Sequence, residues 1–154
     1  MNNFSVYHQV YKNKPQTIQS LTSLRKFYPD SHIRILSDGG DNYTDVANQL
    51  QCEYIHDPIN LGVYCNLNPK VISKEHIYGW NREESLIFLK RIYDFCKSVN
   101  SKYILFTEDD IAYSKELSIN NEQFDLTGRI PANMFPKEFL SYLSTIYPNH
   151  NLEQ

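Results

Sequence analysis

Apolar residues alternate with polar ones at the start of the chain, then repeat every three to four positions, and this change of period recurs over the first 110 residues. NFSVYHQV, from Asn3 to Val10, predicts a strand with Phe4, Val6 and Val10 on alternating positions. Asn-Lys-Pro then breaks the pattern, and Pro15 suits a first helical position. Ile18, Leu21, Leu24, Phe27 and Tyr28 recur at helical spacing and predict one buried stripe, ended by Pro29 and Asp30. HIRIL predicts a second strand that runs into SDGGD. Tyr43, Val46, Ala47 and Leu50 mark a short second helix, and CEYI a third strand that ends at His56, Asp57 and Pro58. From Ile59 to Trp80 no period is visible. A third helix follows, with Asn81 and Glu84 as a capping box and Leu86, Leu89, Tyr93 and Cys96, widened by Ile92, as its expected buried face. YILFT, from Tyr103 to Thr107, is the fourth strand.

Strands alternating with helices predict an α/β fold, a mostly parallel sheet with helices on both faces. The unbroken apolar run of the fourth strand suits a place covered on both sides. Beyond Asp110 the pattern weakens: a short strand around Leu117 to Ile119, a turn at Gly128 and a final helix over PKEFLSYLSTIY are expected. A length of 154 residues fits one domain, 1–154.

Composition narrows the function. The net charge is 15 − 18 = −3, without a basic block, which argues against nucleic acid as a partner. No apolar run approaches the roughly 18 residues that span a bilayer, and no signal peptide is visible, so a cytoplasmic location is expected. Cys52, Cys65 and Cys96 are odd in number and lack metal-binding spacing, which reads as reduced thiols.

The chemistry concentrates where strands end. Ligands of open α/β sheets bind outside the carboxyl ends of the strands. The second strand ends in Asp38, the third in Asp57, the fourth in Glu108, Asp109 and Asp110. Asp38 before two glycines and Asp57 before Pro58 also suit ordinary turns. Turn chemistry does not need three consecutive acids. Two carboxylates about 4 Å apart repel by about 4 kcal/mol at an effective dielectric near 20. Strand alternation puts Glu108 and Asp110 on one side, where Mg²⁺ or Mn²⁺ would relieve them and accept substrate phosphates. There is no GxxxxGK[ST] and no GxGxxG, so the phosphates are not expected in a glycine-rich cradle.

With VYKNKP after the first strand, ILSDGGD after the second, NLG at Asn60 to Gly62 and YILFTEDDI as a DxD-type acidic motif, the chain resembles GT-A fold, family-2-like nucleotide-sugar glycosyltransferases. The resemblance covers residues 3–111 and leaves 112–154 as a short remainder of the acceptor half. It implies metal-dependent transfer of a sugar from a nucleotide diphosphate donor to a hydroxyl acceptor. It also implies roles residue by residue. His8, Gln9 and Tyr11 meet the nucleoside, Asp38 the base, Asp57 the base or ribose, and Asp109 the ribose or diphosphate. Asn81 and Arg82 meet the nucleotide or its phosphates, and Asp110, with Glu108 through water, holds Mn²⁺ or Mg²⁺. The shortness of the remainder leaves the catalytic base unassigned. It keeps open a donor-binding domain without turnover, or one half of a split enzyme whose partner subunit supplies the acceptor site.

Overall fold

The computed structural model describes residues 4–61, 82–117, 127–129 and 132–136. Four strands, β1 (Phe4–Val10), β2 (Ile33–Asp38), β3 (Glu53–Asp57) and β4 (Tyr103–Glu108), pair in parallel in the order β3-β2-β1-β4. Helices α1 (Lys14–Phe27), α2 (Thr44–Gln49) and α3 (Arg82–Ser98) join them in the predicted order. Two short strands extend the sheet beyond β4: β6 (Ala132–Pro136) runs antiparallel to β4, and β5 (Thr127–Arg129) antiparallel to β6. Gly128 therefore lies within a strand and not at the expected turn. The expected final helix, the capping box at Asn81 and most of the segment expected as a strand near Ile119 fall outside the described residues; Leu117, its first residue, is not in a strand.

The pleat divides the core in two. Phe4, Val6 and Val10 of β1, Ile33 and Ile35 of β2 and Leu105 of β4 face Leu21, Leu24 and Tyr28 of the α1 region and Tyr43, Val46 and Ala47 of the α2 region. Tyr7, Leu36, Ile104 and Phe106 face the other way, onto Ile92, Phe95, Cys96 and Val99. Every β1 residue is buried, as expected of a central strand covered by helices on both sides. The α1 stripe is as predicted, capped by the Asn13 side chain, which accepts from the Gln16 backbone N–H at 3.3 Å, with Pro15 in the first turn. On α3 the deeply buried stripe is rotated from the expected one. Leu89 and Tyr93 are only half-buried, while Phe95, absent from the expected face, is fully buried between the rings of Tyr7 and His32.

Registers fix what stands at the carboxyl edge. Gln9 lies opposite Leu36 on one side and Glu108 on the other, and Asp38 lies opposite Asp57. Because side chains alternate, Gln9, Glu108, Asp38 and Asp57 all belong to the face that α3 covers.

Candidate functional site

The loops after β1, β2 and β3 lock together at this edge. Asp41 donates its N–H to the Tyr11 carbonyl at 2.8 Å, and Gly39 donates to the Asp57 carbonyl at 2.7 Å. Gly39 has φ +66°, and a Cβ there would stand 2.6 Å from the Asn60 nitrogen. A Cβ on Gly40 would stand 1.8 Å from the Tyr11 carbonyl oxygen, so the two glycines let three backbones meet. Gly40→Ala must separate the β1 and β2 loops. A loss of about 3 kcal/mol is expected, at the upper end for overpacking, measured as a fall in urea midpoint.

Asp38 and Asp57 are bound from within. The Arg91 guanidinium of α3 donates from Nη1 to Asp38 Oδ1 at 2.6 Å, from Nε to Asp57 Oδ2 at 2.8 Å and from Nη2 to the Ile59 carbonyl at 2.8 Å. Asp38 Oδ1 also accepts the Leu61 N–H at 3.2 Å, and Asp57 Oδ1 the Ile59 N–H at 2.9 Å. Burial works against the Arg91 charge, yet the hydrogen bonds and charges of the two carboxylates outweigh it, and its pKa rises. Part of the acidity that the sequence places at this rim is thus neutralised by a residue that sequence reasoning missed. Its signal was present: position 91 belongs to the stripe Phe88, Ile92, Phe95, Cys96, Val99, where a charge inside an apolar face marks a buried partner.

The remaining acids are differently placed. Strand pairing ends at Glu108, and Asp109 and Asp110 form a turn, so alternation does not extend to Asp110. Asp109 is half-buried; burial and then the charge of Asp110 raise its carboxyl above the usual range, against a hydrogen bond from the Tyr11 backbone. Asp110 is exposed. Among the described residues no three acidic, histidine or cysteine side chains gather closely enough to hold a metal ion unaided.

On the α3 side of the same edge, polar atoms lack partners. Both amide atoms of Gln9 and Asp38 Oδ2 are buried without a hydrogen bond among the described residues. Each such atom costs about 1–3 kcal/mol, which a ligand or water would relieve. His8 does not join this group. It lies on the α1 face, fully buried, with neither ring nitrogen paired among the described residues. Tyr11 is exposed on the loop after β1. Asn81 lies outside the described residues, and Arg82 begins α3.

Solved structures share this fold. The mannosyltransferase PcManGT of Pyrobaculum calidifontis, in complex with GDP-Man and Mn²⁺, superposes with a TM-score of 0.57 at 8% identity, over 92% of this chain and 46% of that one. A cytidylyltransferase of Leptospira borgpetersenii gives 0.55 at 13% identity, over 94% and 64%. The chain shares its fold with these enzymes. The glycosyltransferase GlyE of Streptococcus pneumoniae TIGR4 aligns over 99% of this chain and 40% of its own, at 12% identity, with a TM-score of 0.47. The chain thus spans 40% to 64% of the length of the three. No protein-family model and no curated protein sequence matches it. Among the described residues no helix is long and apolar enough to cross a membrane.

Proposed function

We propose that the chain is a nucleotide-sugar-binding glycosyltransferase domain that takes a nucleoside diphosphate sugar at this rim and passes the sugar to a hydroxyl acceptor. The observation that carries the reading is that the unpartnered Gln9 and Asp38 Oδ2, on the α3 side, and the Asp109–Asp110 turn that follows β4 all stand at the carboxyl edge of the four parallel strands. The shared fold with a mannosyltransferase seen with GDP-Man and Mn²⁺ supports it.

In this reading Asp38 Oδ2 accepts a hydrogen bond from the base, and Gln9 and Tyr11 line the nucleoside. Asp57 stands near the base or ribose, and Arg82 near the phosphates. Asp109 faces the ribose or diphosphate. The donor set fits a hard divalent cation: two adjoining carboxylates, one raised by burial and by its neighbour's charge, are relieved by Mn²⁺ or Mg²⁺. Asp110 would hold that ion, with Glu108 acting through water. When bound, the ion supplies Lewis-acid stabilisation of charge on the departing diphosphate. Because Asp110 is exposed at the turn, an ion held there would be open to a ligand.

The test is thermal unfolding with UDP- and GDP-sugars, with and without Mn²⁺. A nucleotide sugar at 100 times its dissociation constant should stabilise by about 2.7 kcal/mol. Asp110→Ala should abolish the manganese-dependent part. Metal-dependent binding that survives Asp110→Ala would remove Asp110 from the site. A donor-binding domain without turnover is the second reading. Release of free nucleotide from the donor by the wild type, and not by Asp110→Ala, decides for the enzyme.

A further inference from the structure

We propose that Arg91 is a positioning residue of the nucleotide site: it holds Asp38 by one oxygen, leaves the other for the ligand, and sets the β2 and β3 loops in a single arrangement around it. The proposal rests on the nucleotide reading above and adds to it a residue 53 positions from Asp38 in sequence.

The geometry is specific to a guanidinium. Arg91 uses three nitrogens on three acceptors, Asp38 Oδ1, Asp57 Oδ2 and the Ile59 carbonyl, which belong to two strands and one loop. A lysine ammonium carries the same charge but cannot span that fork. Asp38 Oδ1 is doubly occupied, by Arg91 and by the Leu61 N–H, while Oδ2 of the same carboxylate, on a residue 1% exposed, has no partner among the described residues. One oxygen is therefore consumed in fixing the group and one is held ready. Gln9, on the neighbouring strand and the same face, also has both amide atoms unpartnered among the described residues. A ligand edge with donor and acceptor groups would satisfy both side chains, and its fit depends on how Asp38 is aimed. Small misplacement of such a group has large effects on affinity.

The experiment compares UDP and GDP with inorganic pyrophosphate, all with Mn²⁺, on the wild type and Arg91→Lys. Pyrophosphate reads the metal and phosphate part alone. Arg91→Lys should weaken the preferred nucleotide tenfold or more and leave pyrophosphate within twofold. Arg25→Lys is the control. Arg25 also anchors several backbone carbonyls, those of Leu50, Pro29, Ser31 and Gln51, but none at this rim. It should lower the melting temperature without changing the ratio of nucleotide to pyrophosphate affinity. Because Arg91 acts through Asp38, Asp38→Asn/Arg91→Lys should bind nucleotide no worse than Asp38→Asn. Equal weakening of nucleotide and pyrophosphate in Arg91→Lys, or an additive double variant, overturns the proposal. If the variants do not fold, the Nε–H resonance of Arg91 in the wild type decides, with Mg²⁺ as the cation. It should shift with nucleotide and stay fixed with pyrophosphate; no shift with either rejects the role. A wild type that binds pyrophosphate but neither nucleotide rejects the nucleotide reading itself, and Arg91 with it.

Discussion

Asp38→Ala should cost the protein about 3–5 kcal/mol, whereas Asp110→Ala should change its stability by less than about 0.5 kcal/mol. The two residues carry the same charge at the same edge of the sheet, and their surroundings decide the difference. Asp38 is buried against Arg91 at 2.6 Å. Removing the carboxylate leaves a guanidinium that is 6% exposed in its side chain with, among the described residues, Asp57 as its only remaining carboxylate, and it strands the Leu61 N–H. A buried charge that loses a partner is among the few single changes that cost several kcal/mol. For a chain of this length that is a fall of about 10 °C in melting temperature. Asp110 is exposed, and its charge raises the Asp109 carboxyl, so its removal relieves a repulsion. Thermal melts of both variants without ligand check the contrast. Equal losses would mean that Arg91 is satisfied without Asp38.

The contrast also shows which parts of the site the sequence could reveal. Period two and period 3.6 gave β1 to β4 and α1 to α3 in order, because each strand and helix buries a face and the pattern is local. The position of the acids at strand ends followed from that order. The reach of Arg91 did not. Its partners lie 53 and 34 residues away, and no spacing rule joins them. A helix stripe is read from apolar residues, so an arginine inside the stripe was passed over; Phe95 was missed because the expected stripe was rotated from the buried one. Alternation also misled at one point: it was extended through Asp110, but the ladder stops at Glu108. Antiparallel β5 and β6 were missed because three- and five-residue strands beside Gly128, Pro131 and Pro136 look like turns. Their pairing is decided by the neighbouring β4, which needed a partner on its free edge.

Acidification from pH 6.5 to 4.5 should weaken the wild type by about 2 kcal/mol through His8 alone, and His8→Leu should flatten that slope. His8 is fully buried in the apolar cluster under α1, opposite Ile35 and Thr107, and burial pushes its pKa down to about 3. The unfolded chain takes up the proton near pH 6.5, while the folded one refuses it until about pH 3. Stability is therefore complete above pH 6.5 and declines as pH falls, by about 1.4 kcal/mol per unit. Glu53 enters only at lower pH. Burial opposes its charge, but hydrogen bonds and charge from Arg34 and His32 outweigh burial and hold its carboxyl below the usual range. Its contribution is lost below about pH 4.5. Asp109 has the opposite sign, since a raised carboxyl gains by protonation as pH falls. Urea midpoints at pH 7, 6, 5 and 4.5 for the wild type and His8→Leu separate these groups; parallel curves would mean that His8 does not resist its proton. The same variant tests the nucleoside role that the resemblance implies for His8. From the α1 face the ring is separated by the sheet from Gln9 and Asp38, so nucleotide affinity at pH 7.5 should stay within twofold. A tenfold loss would instead require β1 to turn His8 toward the ligand, which its register with both neighbouring strands opposes.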